Sequence, residues 1–410
     1  MKFNAIVAGV GMTRFGKHMD RGLKSIGAEA VRAAIADAGM QNSDIEAAFV
    51  GNAAAGLVTG QECIRGQVIL RSAGIGKIPV VNVENACASG STALNQACAF
   101  VTAGLYDVVL AVGAEKLYHE DKRKSFAAFS GAVDVEALEE IMARLKAAAK
   151  DSGAEKAGGG AGENRSMFMD IYASAARAHM KRYGTTIQQF AKVSAKNSYH
   201  GSLNPRAQFR EQLTVEDVLA APMIAEPLTR PMCSPIGDGA AAVVVISERK
   251  AAQLGLISPV RIVTSVLHSG WDHGPDEGGS LELCASEAYS EAGVGPNDLS
   301  VVELHDASAP AEITGYESLG LCGKGEGGVL IDSGATWLGG RVPVNTSGGL
   351  LRKGHPVGAT GVAQIVELTE QLQGRSGDRQ VQGAKVALAQ NGGGSIGSDA
   401  AAMCVTILTR

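Results

Sequence analysis

Two residues far apart in the chain sit in matching settings. Cys87 opens the run Cys87-Ala-Ser-Gly90-Ser-Thr92, and His355 opens His355-Pro-Val-Gly358-Ala-Thr360. Each run leads into a long uncharged stretch with helical spacing. A thiol and an imidazole brought together at two helix N-termini make a nucleophile and its base. The helix ends are expected to lower the thiol pKa and to keep the imidazole neutral. A second histidine, His305, follows the mostly apolar run 301–304, where a strand end would form the rim of a site. Singly, Cys87 reads as a buried structural cysteine and His305 as a turn cap. The shared setting of Cys87 and His355, with its flanking glycines, favours chemistry.

The elements that must hold these residues repeat. A helical run, 28–37, leads into Ala38-Gly39, then Asp44 and an apolar strand, 47–50. Later, 283–291 leads into Ala292-Gly293, then Asp298 and the strand 301–304. The glycines suit helix C-caps, and the aspartates suit turns before strands. The Cys87 and His355 runs follow in the same order, then strands at 107–113 and 385–390, and closing strands at 240–246 and 400–408. Alternating strands and helices, duplicated, predict an α/β fold of two pseudo-twofold halves. The first half is interrupted after its fourth strand. The insertion holds a charged helix near 134–150, a Gly/Ala-rich linker from Ser152 to Gly162, and helices near 167–183 and 187–199. An insertion there is expected to build a substrate or cofactor lid, with a family-specific decoration as the alternative. The division is therefore 1–115 plus 236–255 for the first half, 116–235 for the inserted loop domain, and 256–410 for the second half.

Composition sets the class. The chain has 410 residues, 45% hydrophobic and 19% charged, enough for a large core in two or three domains. Its 53 glycines come without a collagen period, so they mark turns and close backbone approaches. A net charge of −5, with no basic stripe, argues against nucleic-acid binding. The seven cysteines form no Cys-x-x-Cys pair, so neither a disulfide framework nor a structural metal site is expected, and a reducing cytoplasm fits. The start reads as a strand rather than a signal peptide, and the last residues carry no peroxisomal address. The uncharged run from Asn85 to Tyr106 contains Ser89, Ser91, Thr92, Asn95 and Gln96, which suits a helix buried in protein and not a membrane span.

Asn85-Ala-Cys87-Ala-Ser89-Gly90 resembles the Cys-x-Ser nucleophile motif of the thiolases. Asn345-Thr-Ser-Gly-Gly-Leu-Leu-Arg-Lys-Gly354-His355-Pro356-Val-Gly358-Ala-Thr360-Gly361 resembles their Gly-His-Pro motif, and His305-Asp306-Ala307-Ser308 the His-Asp-Cys-Phe motif of the sterol-carrier-protein-x branch. The resemblance spans essentially the whole chain. It implies a five-layer αβαβα fold with a loop domain, and a CoA-dependent C-acyltransferase that cleaves a β-oxoacyl-CoA or runs the reverse condensation. Cys87 would carry the acyl group. His355 would deprotonate Cys87 and the CoA thiol, and His305 would stabilise an enolate. The amides of Cys87 and Gly392 would form a second oxyanion hole, and Ser234 would touch the CoA pantetheine arm. Asn345, Gln390 and Asn391 would support the site. Coenzyme A would be a cosubstrate, with no bound cofactor or metal. The resemblance also implies a homodimer through the first half's sheet, and a small zinc-ribbon/OB-fold companion subunit in some relatives, which with the missing second cysteine makes a bulky aromatic, branched or steroid acyl group the expected substrate. Both positions that carry a proton-shuttling cysteine in this family differ: they hold Gln390 and Ala307. A water, His305 or another histidine such as His119 must then move the α-proton. Two other readings stay open: a thiolase-like retro-aldolase on a β-hydroxyacyl-CoA, and a non-catalytic acyl-CoA- or lipid-binding scaffold subunit.

Overall fold

A computed structural model describes residues 2–151, 165–274 and 277–410; the linker from Ser152 to Gly162 lies outside them. In chain order the strands are β1 (Lys2–Met12), β2 (Ala47–Gly51), β3 (Val80–Val83), β4 (Val108–Glu115), β5 (Met223–Ala225), β6 (Leu228–Thr229), β7 (Gly239–Ser247), β8 (Val260–His268), β9 (Val301–Glu303), β10 (Val386–Gly393) and β11 (Ala402–Thr409). Nine of them form one sheet, ordered β3-β2-β4-β7-β1-β8-β11-β10-β9, while β5 and β6 make a separate hairpin. Reading outward from the antiparallel β1–β8 pair, each half repeats the same plan: β7-β4-β2 on one side answers β11-β10-β9 on the other. The bridge from Val344 to Val302 stands where β3 stands in the first half.

The central strands are apolar on both faces, as strands covered twice must be. Along β7, Ala241, Val243 and Val245 face an inner core, whereas Ala242, Val244 and Ile246 face an outer one. The inner core holds two helices, Ser89–Thr102 and Thr360–Gln373, which touch strands of both halves. Most of the uncharged run lies here: residues 89–95, Ala97, Cys98 and Val101 are buried between the sheet faces, and the run reaches the surface at Leu105. The helices Leu23–Asp37 and Arg65–Ala73 cover the first half, and Ser280–Ala292 and Ala309–Ser318 the second. The result is the five-layer αβαβα arrangement. Among the described residues, no helix is long and apolar enough to cross a membrane.

The structure shifts the repeat by three residues at the two central helices. They begin at Ser89 and Thr360, so Cys87 answers Gly358 and not His355. A Cβ on Gly90 would meet Val362 N at 3.2 Å, and one on Gly361 would meet Ser91 N at 2.7 Å, which is a symmetric contact in the new register. Helix phase, set by the close backbone approach of the two helices at Gly90 and Gly361, overrides the matched glycines that suggested the first alignment.

The insertion leaves the sheet after β4 and returns at β7. Its helices include Leu138–Asp151, Phe168–Tyr183 and Ile187–Ser202, the last opened by a Thr186–Gln189 capping box. Helix Ile187–Ser202 is buried along much of its length against the second half, and Phe168–Tyr183 brings Phe168 and Tyr172 to the cavity walls that Cys87 also lines.

Candidate active site

Cys87 sits in a single 3-10 turn, Ala86–Ala88, just ahead of the helix Ser89–Thr102. The turn is tight, and Ala86 takes a left-handed φ of 46°. Such a conformation in a residue other than glycine is costly and persists where surrounding contacts enforce it. The carbonyl of Ala86 and the amide of Asn85 both bond Ser89 Oγ, at 2.6 and 2.9 Å. The end of β10 passes directly beneath: a Cβ at Gly393 would lie 2.2 Å from the Asn85 carbonyl oxygen, so only glycine fits there.

His355 and His305 arrive from the second half. One ring nitrogen of each, with Cys87 Sγ, forms a set whose atoms all lie within 4.8 Å of one another. Their hydrogen bonds assign their tautomers. Thr360 Oγ1 donates to the Pro356 carbonyl at 3.2 Å and therefore accepts from His355 Nδ1 at 2.7 Å. Nε2 of His355 is left with its lone pair free, as a base requires. At His305 the polarity is reversed. Ser91 Oγ donates to Asn391 Oδ1 at 2.9 Å, so Asn391 Nδ2 donates to His305 Nδ1 at 2.7 Å, and Nε2 of His305 carries the proton. The His305 amide is held by Gln390 Oε1 at 2.8 Å.

Burial sets the charge state. Desolvation lowers the His305 pKa to about 4 and takes His355 well below its usual value, with His305 and Lys353 adding to the latter shift. Burial also pushes the Cys87 thiol up to about 12; the Gly394 amide, bonded to the sulfur, offsets part of this, and Glu115 adds to the rise. The expectation of a lowered thiol pKa is therefore overturned, because desolvation outweighs one helix end. The resting site is neutral: a thiol, one base and one donor.

Cys87 lies between two cavities. The larger, about 760 Å³, also takes in His355, Ser234, Ala307, Arg165 and Arg230. The smaller, about 350 Å³, takes in His305, Gln390, Gly392, Gly394 and Ser308. Ser234 is fixed there by its amide, 3.0 Å from the Ala307 carbonyl. Gly392 lines the smaller cavity, but the amide that reaches the sulfur belongs to Gly394. Asn345 stands behind the site. Its Oδ1 accepts from the Leu304 amide at 2.9 Å and its Nδ2 donates to Glu312 at 2.8 Å, tying the His305 strand to the His355 segment. His119, which accepts from the Asp121 amide, lines neither cavity.

Sequence reasoning missed Glu115 and Tyr172. Glu115 is fully buried at the end of β4 and accepts from Asn52 Nδ2 and the amides of Ala53, Ala54 and Gly358, so it clamps the His355 loop to the first half. A single carboxylate ending an apolar strand was the available signal. Tyr172 carries no signal at all, since nothing in the sequence says which face of its helix looks at Cys87.

Comparison with known proteins gives the family. Residues 5–249 match the family model described as "Thiolase, N-terminal domain", and residues 279–409 match "Thiolase C-terminal domain-like". An acetyl-CoA acetyltransferase of Methanothermobacter thermautotrophicus is 38% identical, over 96% of this chain and 97% of that protein. Sterol carrier protein 2 of Rattus norvegicus is 35% identical, over 94% of this chain and 69% of its own length. Among solved structures, the Ltp2-ChsH2(DUF35) aldolase superposes with a TM-score of 0.76 at 26% identity, covering 98% of this chain and 97% of its own. With both halves matched by family models and a relative aligned end to end, the chain belongs to the thiolase family.

Proposed function

We propose that the protein transfers acyl groups between carbon and the thiol of coenzyme A, cleaving a β-oxoacyl-CoA or joining two acyl-CoA units in reverse. The observation that carries this reading is the meeting of Cys87, His305 and His355 at the junction of two cavities. Nε2 of His355 takes the thiol proton as Cys87 attacks, so a high resting thiol pKa is no obstacle when transfer accompanies bond formation. The same nitrogen then serves the incoming CoA thiol. Nε2–H of His305 holds the thioester oxygen as enolate charge develops, and the amides of Cys87 and Gly392 hold the tetrahedral oxygen at the acyl-enzyme carbon. Asn391 and Gln390 orient His305, and Asn345 ties the two segments together. Ser234 contacts the pantetheine arm in the larger cavity. The smaller one, lined by Phe168, Ile171, Leu281, Pro310 and Met403, suits a bulky aromatic, branched or steroid acyl group. CoA is the cosubstrate, and these steps need no metal or bound cofactor.

The same reading divides the chain into 1–115 with 236–255, the insertion 116–235, and 256–410. A homodimer through β3 is part of it, because that strand is the free edge of the first half and Val81 on it is exposed. A small zinc-ribbon/OB-fold companion over the insertion draws support from an aldolase neighbour whose name includes a DUF35 component. Seven free cysteines suit a reducing cytoplasm.

The test is to incubate the whole chain with acetoacetyl-CoA, then with a bulkier aromatic β-oxoacyl-CoA, with and without CoA, and to map the acylated peptide. Acylation is a better trap than iodoacetamide, because the exposed Cys63 will alkylate too. CoA-dependent cleavage with the acyl group on Cys87 is the expected result. Cleavage of a β-hydroxyacyl-CoA that survives Cys87→Ala would establish the retro-aldolase reading instead, which the aldolase neighbour favours. Binding without any turnover would leave a scaffold subunit.

A further inference from the structure

Thiolytic cleavage breaks the Cα–Cβ bond and leaves an electron pair on the α-carbon, which must receive a proton. The two positions where a cysteine would supply it hold Gln390 and Ala307, and neither side chain exchanges protons at neutral pH. Gln390 is moreover committed: its Oε1 accepts from the His305 amide and its Nε2 lies 3.1 Å from Met403 Sδ. His305 accepts at Nδ1 and, on the reading above, spends Nε2–H on the enolate oxygen. His355 has the proton taken from Cys87 but lines only the larger cavity.

Three residues line both cavities: Cys87, Phe168 and Tyr172. Phe168 and Tyr172 are four apart on the helix Phe168–Tyr183, so they share a face, with ring centroids 6.5 Å apart. The insertion thus lays two aromatic rings across the partition at the nucleophile, and one of them ends in a hydroxyl. No hydrogen-bond partner engages that hydroxyl among the described residues. It is a titratable group at the boundary where the α-carbon of a Cys87-bound substrate must lie, and the steps above leave it unused.

We propose that the Tyr172 hydroxyl is the acid/base group that delivers the α-proton, in place of the absent cysteine. This rests on the acyl-transfer reading. His355 first removes the Cys87 proton, and the S–C bond forms at the β-carbonyl. Collapse breaks Cα–Cβ and gives the acyl-Cys87 thioester and the enolate of acetyl-CoA. The Tyr172 O–H bond then breaks as C–H forms at Cα. The resulting phenolate recovers a proton from the imidazolium of His355, directly or through water in the larger cavity that both residues line. His355 is neutral again for the CoA thiol, and the charges balance. Burial first, and the Cys87 sulfur second, raise the phenol pKa, which keeps the proton in place until an enolate, a far stronger base, needs it.

Two exchange reactions separate this role from its rivals. Transfer of the acyl group from the acyl-CoA product of cleavage to isotopically labelled CoA needs Cys87 and His355 but no α-proton. Deuterium uptake into the methyl of acetyl-CoA in D₂O needs the α-proton carrier. Tyr172→Phe, which keeps the ring, should leave labelled-CoA exchange within about 2-fold of wild type and slow deuterium uptake about 10²–10³-fold, the range of one general acid/base group. Equal losses in both exchanges would mark Tyr172 as structural and overturn the proposal. So would near wild-type uptake in Tyr172→Phe, or loss of uptake in Cys233→Ser, the other titratable thiol lining the larger cavity. A wild-type chain that shows no labelled-CoA exchange would sink the acyl-transfer reading itself, and this proposal with it.

Discussion

His305 and His355 meet edge to face, with ring centroids 5.2 Å apart and planes at 88°, and they hold opposite tautomers. Two imidazoles at this distance divide acid and base work only if neither is charged and each has its proton fixed on a chosen nitrogen. Thr360 does this for one and Asn391 for the other.

The two histidines should therefore fail differently. His355→Ala should cost acylation and thiolysis alike, about 10²–10⁴-fold. His305→Ala should leave the alkylation rate of Cys87 near normal while C–C cleavage falls about 10²–10³-fold, the scale of one oxyanion donor. Pairing alkylation rates, read by peptide mapping at Cys87, with turnover decides it. If His305→Ala slows alkylation as much as His355→Ala does, the division of roles is wrong.

A buried ion-pair network holds the His305 segment from behind. Lys196, Glu312, Asn197 and Asp306 are all fully buried. Lys196 Nζ pairs with Glu312 and donates to the Val344 carbonyl at 2.9 Å, and Asn197 Nδ2 donates to Asp306 at 2.8 Å. Lys196→Met should leave a buried carboxylate unpaired and cost about 3–5 kcal/mol. Removing both charges with Lys196→Met/Glu312→Gln should recover much of that in denaturant melts. A single variant as stable as wild type would show that the pair carries no such burden.

Acid stability should trace in part to His200. Its Nε2 accepts from the Leu338 amide at 3.0 Å and its Nδ1 donates to the Asn345 carbonyl at 3.1 Å, so a second proton has no place. Burial, reinforced by Lys196, lowers its pKa to about 3. The unfolded chain binds a proton near pH 6.5 that the native state refuses, so this contribution is complete above that pH and is lost as pH falls toward 3. His200→Gln should flatten the dependence of melting temperature on pH between 6.5 and 4. Parallel curves for the two proteins would assign the acid limb to other groups.

The β3 edge predicts assembly. Val81 and Asn82 are exposed on a short strand with one unpaired side, and Val81→Glu would place a charge where a second copy would dock. Light scattering should give twice the mass of one chain for wild type and a monomer for this variant. A wild-type monomer at micromolar concentration would end the dimer reading.

Much of the fold was written in local pattern. The uncharged run after Cys87 marked a helix that is buried over most of its length, and the recurring Ala-Gly caps and strands announced two halves. The residue types of the site were legible for the same reason: Cys87, His305 and His355 each stand at an element boundary, which spacing reveals. Other features required three dimensions. The repeat register at the central helices was set by Gly90 against Val362 and Gly361 against Ser91, contacts between segments distant in the chain. The direction of the thiol shift depended on how much apolar material surrounds Cys87, a quantity that depends on every layer at once. Which nitrogen of each histidine is free was decided by Thr360 and Asn391, and which tyrosine lines the cavities beside the nucleophile by where the inserted helix packs. Sequence determines what each segment prefers by itself; burial and hydrogen-bond partnership are properties of the packed whole, and the chemistry of Cys87 rests on both.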